Sequence, residues 1–374
     1  MPGRSRKIRV PAWAGVPLLA LAAWFLFLRP LTAIPGVSPP APARVAAWTG
    51  TRSGVWREFT FPTEQRRLLS WREGGVLQPT AAGELSSALY GSVRTNRVGR
   101  RFLAAFHEGI DIAPLARDLR GYPKDEIRSV APGRVAYVNR HSGNSNYGKY
   151  VVVLHPDELG DVYTLYAHLD SIAPGLKVGV PVAAGSNLGR MGNTSSGQGI
   201  PRFRSHLHFE VGLIQNRGFS SWMKNRKIKN PHGTYGGWNL QGLDPLRFLA
   251  RLSLRRVFSF SEFLAAYPRA FRLAVRADVL PDFFRRYPRL WEGRRTAPGA
   301  LALSCSENGT VLSGRPLRPR ERAVLGEEPW LVLEVDRQVL GRNGARLIVE
   351  DSGEWKLTSR GKRWLSLLLW PSRL

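Results

Sequence analysis

Between residues 98 and 250 the chain advances in short apolar runs: "GRVAYVNR", "GKYVVVLH", "DVYTLYAHL" and "HLHFEVGLI". Gly, Asn, Pro or Ser clusters separate them. Runs of strand length with turn signals at short spacing predict antiparallel sheets, so a mainly β domain is expected over 98–250. The stretch "SHLHFEVG" (205–212) alternates with a period of two. On a strand that puts Leu207, Phe209 and Val211 on one face and His206, His208 and Glu210 on the other. The apolar face asks for a core. The imidazole face needs another justification.

Four of the seven histidines bear on that question. In "FHEGIDIAP", His107 and Asp111 stand four apart with Gly109 between them. The β-branched Ile110 and Ile112 argue for a strand or turn, and a bend at Gly109 would let both side chains converge. In "YTLYAHLD", alternation sets Thr164, Tyr166 and His168 on one face, with Leu165, Ala167 and Leu169 opposite. His206 and His208, two apart on a strand, lie roughly 6.5–7 Å from each other and reach one cavity without needing to touch one ion. Three N/O ligands with an open fourth position are what a hydrolytic zinc centre uses. His107, Asp111 and His208 could supply those ligands, and His168 and His206 could act on the water and the transition state. His155 fits the strand pattern, and His141 and His232 read as surface loop residues.

The segments "HEGIDIAP", "YGKYVVVLH…YTLYAHLD", "LGRMGNTSSG…SHLHFEVG" and "LDPLRFL" occur in the order found in lysostaphin-like zinc metallopeptidases, and over 98–250 the chain resembles that family. The resemblance implies a β-sheet fold with an open groove and hydrolysis of peptidoglycan peptide stems. It also implies Zn2+ held by His107, Asp111 and His208, with His168 and His206 flanking the attacking water and the oxyanion. Three stretches are longer than the family pattern: "LARDLRGYPKDEIRSVAPGRV", "QGIPRFR" and "NRGFSSWMKNRKIKNPHGTYGGW". These are expected to line or cover the groove. The competing reading is a non-catalytic wall scaffold, or an activator of other wall hydrolases, that keeps the fold. The presence of all five site residues argues against it.

The flanks carry separate expectations. Residues 1–30 hold a basic head and then an uncharged run of about 19 residues, the length a bilayer core needs. An uncleaved inner-membrane anchor with the rest of the chain in the periplasm or extracytoplasmic space is expected, the alternative being a cleaved signal peptide and secretion. Residues 31–47 form a Pro-rich linker, and 48–97 offer no motif. From 251 to 374 a basic accessory region reads as helical at first ("SEFLAAYPRAFRLAVRADVLPDFFRRY"), giving an α-rich or α/β accessory fold. A strand-turn-helix unit closes the chain. The net charge of +27, from 55 Lys+Arg against 28 Asp+Glu, attracts polyanions. The tail has some likeness to a winged helix, but an exported domain does not meet DNA, so no nucleic-acid partner is expected. An acidic wall polymer, anionic lipid or a protein partner for the C-terminal region fits that charge better. The single cysteine, Cys305, excludes an internal disulfide framework.

Overall fold

The alternating runs do form strands in the computed structural model, which describes residues 54–372 except 82, 99, 100, 198, 258, 296, 297 and 342. The expected membrane segment 1–30 and linker 31–47 lie outside the described residues. Among the described residues no helix is long and apolar enough to cross a membrane.

A hairpin of β1 (Val93–Val98) and β2 (Arg101–Phe106) leads in. The division expected at residue 98 falls inside this hairpin. Nine strands of the described residues then form one antiparallel sheet. They are β3 (Ile110–Ile112), β4 (Glu126–Arg128), β5 (Gly133–Asn139), β6 (Lys149–Pro156), β7 (Asp161–Ile172), β8 (Pro181–Val182), β9 (Asn187–Met191), β10 (Leu207–Ile214) and β11 (Leu240–Leu243). The main path runs β11-β10-β7-β6-β5-β8, with β3 paired to β10 and β9 linking β7 to β4.

Both faces of β10 are covered, and its eight residues are all buried. Leu207, Phe209, Val211 and Leu213 enter the large core, which also takes Trp56, Leu68, Val151, Tyr166, Phe248 and Phe260. Each such side chain withdrawn from water contributes about 1.5–3 kcal/mol. That anchorage fixes the opposite face, where Tyr150, Tyr163, Leu165 and Ala167 form a smaller cluster with Tyr147 beside it.

Two helices follow the sheet strands, α1 (Phe219–Asn225) and α2 (Pro245–Ser253). The Asp244-Pro245 turn starts α2 as expected, because the Asp244 carboxylate accepts from Leu246 N and Arg247 N. Beyond it, the helical reading of 251 onward needs correcting. A short α3 (Phe260–Ala265) stops before Pro268, which cannot continue a helix, and "FRLAVRA" is strand β12 (Phe271–Ala277). Phe271, Leu273 and Val275 alternate into the core, a period-two signal overlooked among the arginines. After α4 (Asp282–Arg286) come β13 (Gly299–Cys305), β14 (Val311–Pro316), α5 (Pro319–Leu325) and β15 (Trp330–Val335), giving a four-stranded antiparallel sheet in the order β14-β13-β12-β15. The closing unit is α6 (Arg337–Leu340), hairpin β16 (Ile348–Asp351)–β17 (Glu354–Leu357) and α7 (Ser359–Leu368).

This α/β region is bonded to the larger sheet. Tyr287 donates its hydroxyl to Asp161 O at 3.0 Å and accepts from Ile214 N at 3.0 Å. Asn216 Nδ2 donates to Leu367 O and Trp370 O, and Asn308 and Thr310 both donate to Gly242 O. The C-terminal residues therefore brace the ends of β7, β10 and β11 and share the large core with them.

Candidate metal centre

Strand pairing brings the first two donors together. Asp111 on β3 sits directly opposite His208 on β10, and cross-strand neighbours have their Cβ atoms about 4.5–5.5 Å apart. His107 reaches the same point because the chain between it and β3 passes tightly over β10 at Gly109. A Cβ there would meet Phe209 O at 2.4 Å, so only glycine allows the crossing. The bend expected at Gly109 thus has a steric cause.

His107 Nε2, Asp111 Oδ1 and His208 Nδ1 form a triangle with sides of 3.1, 3.1 and 3.0 Å. All three residues are buried. His208 Nε2 lies 2.9 Å from Glu210 Oε1, which can only accept, so that nitrogen carries a proton. His107 Nδ1 faces an acceptor, Leu89 O at 2.9 Å, and a donor, Arg94 Nη2 at 3.1 Å; donation to the nearer carbonyl leaves Nε2 as the lone pair toward the triangle. His107 Nε2, Asp111 Oδ1 and His208 Nδ1 are thus aimed at one point, where a single positive charge, either a metal ion or the proton on His208, offsets the repulsion between them. Tetrahedral zinc with ligands at about 2.0–2.1 Å separates them by roughly 3.3–3.4 Å, so the donor set fits after a small opening.

The surrounding charges tell the same story. Burial disfavours a charged His208, yet hydrogen bonds to Asp111 and Glu210 outweigh it and lift the imidazole to about 9. Burial likewise opposes ionisation of Asp111, but His107, His206 and Arg94 hold it well below the usual carboxylate range. Burial lowers His107 to about 4, against the pull of Asp111. The pocket stabilises one positive charge at the triangle.

His206 and His168 stand beside it. Their rings are 4.8 Å apart, and His168 is 5.8 Å from the His208 ring. His206 Nδ1 donates to Arg204 O at 2.7 Å and His168 Nδ1 donates to Thr194 O at 2.8 Å. Each therefore keeps Nε2 as an acceptor, and His206 Nε2 lies 3.5 Å from Asp111 Oδ2. Burial pushes both imidazoles below their ordinary range, His168 further because His206 and His208 are close.

The face expected for His168 is corrected by the backbone. Tyr166 packs in the large core and Ala167 in the small cluster, so strict alternation would return His168 to the large core. Instead His168 has φ 61, the left-handed region, and the parity of β7 shifts by one. His168 turns toward His208 while Leu169 goes back into the core. The loop that receives it is equally tight. A Cβ on Gly148 would meet Thr194 O at 2.2 Å, and Thr194 O is the acceptor of the His168 bond.

Four contributors were missed in the sequence. Glu210 accepts from His208, from Tyr147 Oη at 2.7 Å and from Tyr163 Oη at 2.9 Å. It fixes the orientation of His208, as a carboxylate would for a ligating histidine. Its place on the His208 face was readable from alternation; its role was not. Arg94 on β1 donates to Asp111 Oδ2 at 2.5 Å and to Ser87 O, leaving Oδ1 to the triangle. It lies where no motif was seen. Tyr147 and Tyr163, the remaining two, hold Glu210 in place. His155 is a buried structural residue between Pro132 O and Thr164 Oγ1, both at 2.8 Å. His232, read as a surface residue, is buried too, with Tyr137 Oη at 2.9 Å and Asn144 O at 3.0 Å, because the long loop before β11 folds back over Tyr137 and Tyr150.

Residues 105–219 match the profile of Peptidase family M23. Among solved structures, a zinc-containing peptidase from Vibrio cholerae is 25% identical, covering 36% of this chain and 35% of that one, with a TM-score of 0.23. The catalytic domain of lysostaphin from Staphylococcus simulans is 20% identical, covering 43% of this chain and 89% of that domain, with a TM-score of 0.27. The match thus spans about a third of the Vibrio protein's length. None of the curated proteins matches the chain.

Proposed function

Residues 105–219 belong to peptidase family M23, and from that premise we propose that the chain is a zinc-dependent endopeptidase cutting peptide cross-links of peptidoglycan. The observation that carries the reading is the buried triangle of potential ligand atoms on His107, Asp111 and His208. Zinc bound there lowers the pKa of its water toward ~7 and polarises the scissile carbonyl.

The other residues have work that follows from their hydrogen bonds. His206 and His168 start neutral, each with Nδ1–H tied to a carbonyl and Nε2 free to accept. Such an imidazole takes a proton before it can give one. One of the pair removes the proton of the attacking water; as an imidazolium it then donates to the departing amine. Its neighbour can steady the oxygen of the scissile carbonyl only when it carries a second proton, taken from solvent, on its own Nε2. Arg94 keeps Asp111 ionised and oriented, and Glu210 orients His208 by accepting from its Nε2.

For the flanks, we propose that residues 1–30 anchor the chain in the inner membrane with the peptidase domain in the periplasm or extracytoplasmic space. On that reading the basic C-terminal region meets a protein partner or an acidic envelope surface. The test is direct. Purified protein loaded with one zinc cleaves cross-linked muropeptides, a chelator stops it, and His208→Ala loses both stoichiometric zinc and activity. A zinc-loaded protein that leaves every cross-linked muropeptide intact ends the enzyme reading, and unchanged zinc in His208→Ala ends the ligand assignment.

A further inference from the structure

Two of the over-long stretches meet beside the triangle and are stapled together. Arg117 donates to Gly121 O and Arg202 O at 3.0 Å each and to Phe203 O at 3.1 Å. Arg202 donates to Arg120 O at 2.8 Å and lies 4.1 Å over the Tyr122 ring. The root of the first loop is fixed as well, since Asp125 accepts from Leu115 N and Ala116 N. The wall so formed runs directly into His206.

One arginine of this wall is not used to build it. Arg204 is partly buried, its Nε is cut off from water without a hydrogen-bond partner, and among the described residues its guanidinium makes no ion pair. It lies within the field of Asp111 and of Arg94, with its own carbonyl holding His206. Asp111 is already committed to Arg94, His107 and His208, so it does not neutralise Arg204. Among the described residues no other part of this guanidinium is hydrogen-bonded either, so a partly buried cation stands two residues from His206 with no acceptor of its own. Arg117 and Arg202, on the same wall, show the ordinary outcome of full engagement. Among the described residues with an unpartnered buried polar atom, Arg204 is the one cation.

We propose that Arg204 is a specificity-determining residue that binds a free carboxylate of the peptide next to the bond being cut. The planar guanidinium takes a carboxylate through two parallel N–H···O bonds from its two outer nitrogens. The substrate class this selects is an acidic peptide stem with an unmodified carboxylate near the scissile amide, in preference to an amidated stem or a neutral bridge. The proposal rests on the peptidase reading above and deepens it.

The experiment uses the full zinc-loaded chain and two synthetic cross-linked peptides that differ only in whether that carboxylate is free or amidated. Wild type favours the free carboxylate in kcat/KM by about 10- to 100-fold, the range of a hydrogen-bonded charge pair. Arg204→Gln collapses that ratio toward one with zinc content retained, and Arg204→Lys, which keeps the charge without the fork, falls between. A wild type that cuts both peptides equally overturns the proposal while leaving the peptidase reading intact. So does Arg204→Gln if it slows both peptides by the same factor. If wild type cuts neither peptide, calorimetric binding of the two decides. Arg204-dependent preference for the carboxylate upholds the subsite without the enzyme, and equal binding removes it.

Discussion

Replacing Glu210 by Gln separates charge from shape at the metal centre. The side chain is fully buried and accepts three bonds, from His208, Tyr147 and Tyr163. A glutamine oxygen in the position of Oε1 still accepts from His208 and Tyr147. The amide nitrogen then faces Tyr163, whose hydroxyl can turn and accept instead. Geometry survives, and what is lost is the negative charge behind the imidazole. A hydrogen bond to a charged group is worth about 1.5–3 kcal/mol against about 1 for a neutral one, and loss of such a partner weakens metal binding about 10- to 100-fold. The same carboxylate also favours the competing proton, because it helps lift His208 to about 9. At pH 7 zinc must displace that proton from the wild type, at a cost of about 2.7 kcal/mol for two pH units. Glu210→Gln relieves part of that competition, so its deficit is smallest near pH 7, about tenfold, and widens as pH rises to 9. Zinc affinity measured by chelator competition at both pH values reads this directly. Unchanged affinity at both, or a deficit that narrows with rising pH, would refute the reasoning.

Two further substitutions test the scaffold. At His168 the left-handed φ of 61 costs a non-glycine residue about 1–2 kcal/mol, so His168→Gly unfolds at higher temperature than His168→Ala although both lose the imidazole. Equal melting temperatures would mean the backbone there carries no strain. His155 is buried and neutral, with burial lowering it to about 4 from 6.5. Between those values the unfolded chain binds the extra proton, so stability is complete above pH 6.5 and declines by about 3 kcal/mol on acidification to 4. Denaturant unfolding of zinc-loaded wild type and His155→Gln across that window gives curves that converge at low pH, and parallel curves contradict the assignment.

What could be read in the sequence was whatever depends on a local period. Leu207, Phe209 and Val211 announced the core side of β10, and the order of the histidine segments announced which residues meet. The failures have physical causes. His168 was given the wrong face because a single left-handed residue reverses parity, and no pattern in "YTLYAHLD" marks it. In 251–286 the density of arginines hid the alternation of Phe271, Leu273 and Val275. Arg94 was invisible because its partner Asp111 is 17 residues away across a hairpin, a pairing that only tertiary structure creates.

The same division separates the candidate ligands from what tunes them. His107, Asp111 and His208 converge through strand register and one glycine crossing, features that follow from short-range chain geometry. Apart from Glu210, two residues from His208 on the same strand, the groups that set their charge come from other parts of the chain. Arg94 comes from the hairpin ahead of the sheet, Tyr147 from the loop before β6, Tyr163 from β7, and Arg204 from an extended loop. A ligand set fixes what metal chemistry is possible, since donor type and number decide it. Proton affinity, metal affinity and substrate charge are decided by the second group, through burial and long-range pairing. Substitutions that alter specificity without loss of zinc therefore belong at Arg204 and its supporting loops, whereas those that alter zinc without touching a ligand belong at Glu210 and Arg94.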